Sequence, residues 1–143
     1  RSIVCDPNIA DMKDILNSKV KFREWYRPFA PFCKKEEAHK YFDSPNFDNL
    51  EYMSYAPRVK VDTLPSITHV DGTARLQTVT EESHSHFYEL LTEFGKISET
   101  NVLLNTSFNI RGYPILSTIK DALYALENTE MDYVVIEDYL FEL

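Results

Sequence analysis

Pro28 and Pro31 interrupt residues 20–32 and forbid a continuous helix through the densest aromatic and cationic stretch of the chain. That stretch holds Lys21, Arg23 and Arg27 together with the five rings of Phe22, Trp25, Tyr26, Phe29 and Phe32. Each proline fixes its own φ and biases the residue before it toward extended backbone, so Arg27 stands on stiff, non-helical chain. The sequence as a whole is acidic, with 15 Lys plus Arg against 23 Asp plus Glu and a formal net charge of −8. Positive charge concentrated in such a chain reads as a fixed seat for an anion. Arg23 and Arg27 can each offer paired donors to a phosphate or carboxylate, and Lys21 acts as a point charge. The same residues also read as a helix end with a solvated cationic face beside an aromatic core flank. Spacing alone does not choose between the two.

At 143 residues, 43% apolar and 13% aromatic, the chain has the size and composition of one domain with a real core. The charge of −8 repels polyanions and argues against nucleic-acid binding by the general surface, while leaving room for a small phosphorylated ligand. Cys5 and Cys33 show no CxxC spacing and no histidine partner, so no metal site is expected. A reduced, cytoplasmic setting is the simplest reading. No apolar run approaches the ~20 residues of a membrane span. The chain opens at Arg1 without a methionine, and residues 1–7 read as entry into the middle of a longer protein.

The pattern along the chain mixes strands and helices. It gives a strand at 1–5, a helix at 10–19, a short polar helix at 34–42 and a loop at 43–46. A strand region at 51–61 crosses Pro57, and 68–79 reads as strand, Asp71-Gly72 turn, strand. Residues 81–94 form an amphipathic helix, with Gly95 placed as its C-cap. A buried-type strand at 102–104 leads into a polar loop at 105–114. Thr118 and Asp121 open a helix over 118–127, a β-rich run follows at 133–136, and 139–143 holds an edge strand. This order predicts an α/β sandwich with a mixed sheet.

Two further places combine polar groups with tight backbone. The turn at 71–75 presents Thr73 and Arg75, although spacing alone favours an ordinary hairpin turn. Residues 105–112, just after the buried-type strand, carry Asn105, Thr106, Ser107, Asn109 and Arg111. Ligands of open α/β sheets gather beyond strand carboxyl ends, and short hydroxyl and amide side chains there suit phosphate oxygens. Such residues also form turns for local reasons. Three glycines in the chain and no GxGxxG argue against a glycine-based phosphate cradle. His84 and His86 are two apart and share no helical face, His39 lies in a charged helix, and His69 precedes the Asp-Gly turn. No nucleophilic triad is discernible.

Three blocks in order resemble the C-terminal domain of the O-carbamoyltransferases that decorate antibiotics and nodulation factors. They are Lys21-Phe22-Arg23-Glu24 with Arg27-Pro28-Phe29-Ala30-Pro31, then Thr68-His69-Val70-Asp71-Gly72-Thr73-Ala74-Arg75-Leu76-Gln77, then Leu103-Leu104-Asn105-Thr106-Ser107-Phe108-Asn109-Ile110-Arg111-Gly112. The resemblance implies an α/β fold of the YrdC-like kind, a mixed twisted sheet flanked by helices, occupying 1–143 as one domain. It implies binding of ATP, with or without Mg2+, and of carbamoyl phosphate, and formation of carbamoyl-adenylate with release of pyrophosphate. A Kae1-like N-terminal domain, outside this sequence, would carry a metal and pass the carbamoyl group to an acceptor hydroxyl.

By matching position, Lys21 and Arg27 become the catalytic pair at the phosphates, and Arg75 and Ser107 contact the adenylate. Arg23, Thr73, Asn105 and Arg111 are further contacts. The sequence departs from the family in three ways. The Gly-Pro-Arg-Ala-Leu-Gly block that the family carries before Arg1-Ser2 is not in it, Tyr113 stands where an acidic residue is common, and residues 44–50 look like a lengthened loop. Two alternatives stay open: a non-catalytic nucleotide-binding or docking module with the same fold, and an RNA-modification relative, which the acidic charge disfavours.

Overall fold

The computed structural model describes residues 1–44 and 46–143, so Pro45, within the expected 43–46 loop, lies outside the described residues. The strands are β1 (Ser2–Cys5), β2 (Ala30–Lys34), β3 (Phe42–Asp43), β4 (Arg58–Val59), β5 (Gln77–Val79), β6 (Val102–Ser107), β7 (Val134–Ile136) and β8 (Tyr139–Phe141). The α-helices are α1 (Met12–Ile15), α2 (Ala38–Tyr41), α3 (Ser85–Phe94) and α4 (Ile119–Asn128). The chain divides into two compact units, a smaller one of residues 1–3, 14–27 and 107–143, and a larger one of 4–13 and 28–106. Among the described residues no helix is long and apolar enough to cross a membrane.

The main sheet has four strands in the order β1-β6-β2-β5. Strand β2 is antiparallel to β6, with Phe32 opposite Leu103, and parallel to β5, with Phe32 opposite Gln77. The sheet is therefore mixed, in agreement with the α/β class expected. Helix α3 lays Leu91, Phe87 and Phe94 on Phe32, Val79 and Leu103. The Phe32 and Phe87 rings meet edge-on at 5.1 Å. The fully buried Phe32, Val79 and Leu91 side chains each contribute about 1.5–3 kcal/mol relative to exposure.

Several local expectations are corrected here. Strand β2 was hidden in the proline-rich stretch, where Pro31 argues against a central strand. It is tolerated because pairing with β5 starts only at Phe32. The polar helix expected at 34–42 shrinks to a 3-10 turn (Lys35–Glu37) and α2 between β2 and β3. Lys34 closes β2 as a buried residue, its ammonium 4.3 Å from the centre of the Tyr88 ring. Of the strand region at 51–61 only β4 is extended, after a 3-10 turn at Leu50–Tyr52. The Asp71-Gly72 turn exists, with Gly72 at φ +78°, but it joins no hairpin. Thr73 forms a single bridge to Arg58, and β5 pairs with β2 instead. Helix α3 starts at Ser85 rather than 81. The polar loop begins only after Ser107, because β6 runs on through Asn105 and Thr106.

The 10–19 helix survives as α1 and then widens into a π-helical turn, Leu16–Val20, which belongs to the smaller unit. Helix α4 and the β7–β8 hairpin make this unit's core, where Ala122, Leu126 and Val134 pack with Phe108, Met131, Ile136 and Phe141. Thr118 and Asp121 form a reciprocal capping box at the start of α4. Arg1 fastens the 108–116 segment: its carbonyl accepts from Phe108 N, and its guanidinium donates to Leu116 O at 2.9 Å.

Candidate functional site

A cavity of about 310 Å³ lies wholly within the smaller unit, lined by Lys21, Arg23, Glu24, Arg27 and residues 109–113. Local backbone explains how the cations reach it. The π-turn ends with Lys21 N donating to Leu16 O at 2.7 Å. Phe22 then takes φ +49°, a left-handed conformation that costs a non-glycine residue of order 1–3 kcal/mol. This reversal ends the helix, and Arg23 N returns to Leu16's neighbour, the carbonyl of Asn17, at 2.9 Å. On the facing side, Tyr113 N donates to Ile110 O at 3.1 Å, closing a turn with Gly112 at φ +80°. A residue with a Cβ would be strained there, and the turn sets Arg111 at its corner.

Lys21 is the buried member of the group, 5% exposed. Its ammonium donates to Ser107 O at 2.7 Å, Asn109 O at 2.7 Å and Asn109 Oδ1 at 2.6 Å. Burial pushes its pKa down to about 8, and the neighbouring Arg23 and Arg27 add to the depression. Arg23 is also lowered, by burial first and then by Arg27, with Glu24 opposing. Arg27 is exposed and 3.8 Å from Glu24, a loose, solvent-screened pair. Arg111 is exposed and reaches Phe22 O at 3.5 Å. Four cations and one carboxylate thus face a single concavity in an acidic chain.

Of the residues singled out in the sequence, Lys21, Arg23, Arg27 and Arg111 line this cavity, and Ser107 meets Lys21 through its carbonyl. Thr73, Arg75 and Asn105 belong to the larger unit. Thr73 closes an Asx-type turn, its N–H and hydroxyl both donating to Asp71 Oδ1 at 3.0 and 2.7 Å. Arg75 is exposed. Asn105 donates to Gln77 Oε1 at 3.4 Å, while its own Oδ1 is buried without a hydrogen-bond partner. His69, whose pKa is lowered chiefly by burial, has its Nδ1 3.3 Å from Thr73 Oγ1. Cys33 is fully buried, and its thiol is pushed far above its ordinary value, which leaves it inert. Among the described residues no cluster of three or more His, Cys, Asp or Glu is placed to hold a metal ion.

Asn17 carried no sequence signal, being inside a helical pattern, and the polar run at 105–112 pointed to Asn109 as a hydrogen-bonding residue but not to its contact with Lys21. Both act through contacts with residues that local periodicity does not link to them.

Comparison with known proteins shows what the chain is similar to. The profile of the family described as Carbamoyltransferase C-terminus matches residues 1–142. The nodulation protein NolO of Bradyrhizobium diazoefficiens is 41% identical over 144 residues, covering 98% of this chain and 26% of that protein. The 3'-hydroxymethylcephem-O-carbamoyltransferase of Amycolatopsis lactamdurans is 35% identical over 143 residues, covering 99% of this chain and 27% of that protein. Its namesake from Streptomyces clavuligerus is 36% identical over 139 residues, covering 96% and 26%. The chain spans about a quarter of the length of these curated relatives.

Proposed function

The chain belongs to the carbamoyltransferase C-terminus family, and from that premise we propose that it is the nucleotide-handling part of an O-carbamoyltransferase. In this reading it binds ATP, with or without Mg2+, together with carbamoyl phosphate, and forms carbamoyl-adenylate. The carrying observation is the cavity where Arg23, Arg27, Arg111 and the buried Lys21 converge in a protein of net charge −8.

Two polyanions must approach each other before they react, and their repulsion has to be offset. Fixed cations on strained or proline-stiffened backbone do this without reorganising when charge develops. Balancing the conversion gives ATP, carbamoyl phosphate and water on one side, and carbamoyl-adenylate, pyrophosphate and inorganic phosphate on the other. By their matching positions, Arg75 and Ser107 are the proposed contacts of the adenylate, with Arg23, Thr73, Asn105 and Arg111 as further contacts. An N-terminal domain of the Kae1-like kind would take the adenylate and transfer its carbamoyl group to an acceptor hydroxyl. The parent enzyme would work in the cytoplasm, where ATP is supplied.

Pyrophosphate release tests the reading. Release that requires both ATP and carbamoyl phosphate, and falls roughly a hundredfold in Arg27→Ala, supports it. Binding of both ligands with no release, even when the full-length protein is used, would instead support the non-catalytic nucleotide-binding module.

A further inference from the structure

We propose that Asn17 is a positioning residue of the cationic cavity, holding the Arg23 side chain and the 25–27 backbone so that Arg23 and Arg27 face a phosphorylated ligand. The inference rests on the cavity being the anion seat proposed above. Asn17 does not line the cavity itself; it acts through the residues that do.

Asn17 is 1% exposed, in the π-turn Leu16–Val20. Its Oδ1 accepts from Arg23 Nε at 2.7 Å. Its Nδ2 donates to Trp25 O at 3.2 Å and to Arg27 O at 3.0 Å, and its backbone carbonyl accepts from Arg23 N at 2.9 Å. One side chain therefore satisfies an arginine and two carbonyls of the same tight loop. Only an amide has both the acceptor and the two donors that this requires. Gripping Arg23 at Nε fixes the plane of the guanidinium while it faces the cavity.

The neutrality of the amide matters as much as its hydrogen bonds. A carboxylate here would hold Arg23 equally well, but it would cancel the positive field that the cavity needs and would repel the carbonyls of Trp25 and Arg27. The π-turn has a part as well. Asn17 lies buried within it and hydrogen-bonded to the 25–27 backbone, and such wide turns recur at functional sites.

The test is calorimetric titration of inorganic pyrophosphate into the full chain and its variants, with thermal melting of each. Asn17→Ala is expected to weaken binding at least tenfold. In an Arg23→Ala, Arg27→Ala background the same change should have no further effect on pyrophosphate binding, because the two guanidinium groups that it positions are gone. Arg23→Lys, which keeps the charge but lacks the Nε donor, should lose at least fivefold, and it remains informative if Asn17→Ala does not fold. Nitrogen-edited spectra give a readout that needs no ligand: the Arg23 Hε signal should be protected from exchange in the wild type and lost in Asn17→Ala. Unchanged affinity in Asn17→Ala and Arg23→Lys, or an unprotected Arg23 Hε in the wild type, would overturn the proposal. A protected Hε in a wild-type chain that binds no pyrophosphate would instead overturn the anion-seat reading, and the role of Asn17 in it.

Discussion

The Lys21 ammonium lies 2.6 Å from Oδ1 of Asn109 and 2.7 Å from the carbonyl oxygen of that same residue. The Ser107 carbonyl is its third acceptor. All three partners are dipoles and none is a carboxylate, so the buried charge is solvated without being neutralised. Its field remains available to the cavity, and the contact also fastens the 107–109 segment to the proline-bounded loop.

Lys21→Met removes that anchor and leaves three oxygens short of a donor. The expected cost is about 1–3 kcal/mol, partly relieved where water reaches the cavity. Lys21→Arg should not rescue it, because a planar fork cannot meet three acceptors grouped around one point. Urea unfolding of the three proteins checks this. Equal midpoints for the wild type and Lys21→Met would contradict it.

The depressed pKa of Lys21 sets a pH dependence. Its folded value of about 8 lies below the ordinary 10.5, so between these values the folded protein sheds its proton first and the unfolded chain binds more protons. Stability contributed at this site therefore rises as pH climbs from about 8 to 10.5, and the cost of burying the charge is fully present below 8. Relative to Lys21→Met, the wild type should gain stability across that window. A bound polyanion should draw the pKa back up, so ligand binding near pH 8 takes up protons. Titrations in buffers of different ionisation enthalpy measure the uptake, and none at all would contradict the placement of Lys21 beside the ligand.

Gly95 is the C-cap of α3, as expected, but glycine is required there for its missing Cβ and not for its φ. Its φ is −65°, which any residue adopts, but a Cβ there would fall 1.8 Å from Asn101 Oδ1. Asn101 cannot swing away without losing its hydrogen bond to Glu37 Oε2 at 2.7 Å. Gly95→Ala should destabilise by about 1–3 kcal/mol. The same substitution in an Asn101→Ala background should be close to neutral. A thermal-melt cycle decides the matter, and additive effects would contradict it.

Thr118→Ala breaks the capping box, in which Asp121 N donates to Thr118 Oγ1 at 3.1 Å and Thr118 N to Asp121 Oδ2 at 3.2 Å. A loss of about 0.5–2 kcal/mol is expected. Thr118→Ser should retain most of the stability. Circular dichroism melts of the two variants measure the difference.

Elements with a local cause were legible in the sequence. The α4 cap is written in Thr118 and Asp121, and the amphipathic face of α3 in Phe87, Leu91 and Phe94. Strand β2 was not legible, because a fully buried strand has no alternation and Pro31 imitates a breaker. Nor was the end of β6, where Asn105 and Thr106 look like loop residues but continue the ladder, with Asn105 opposite Ala30. In the site, the cations announced themselves by their contrast with an acidic chain. Asn17 did not, and Asn109 stood out only as one polar residue of 105–112, without any sign of its contact with Lys21. Their roles come from the π-turn, the left-handed Phe22 and a contact spanning 88 positions, none of which has a period to read.

The most direct test of the central claim is calorimetric titration of ATP, in the presence of carbamoyl phosphate, into the wild type and Arg27→Ala. The account predicts saturable binding by the wild type, weakened roughly a hundredfold by loss of the Arg27 guanidinium from the cavity. Equal binding by the two proteins would place the nucleotide elsewhere and contradict the assignment of this cavity as the anion seat.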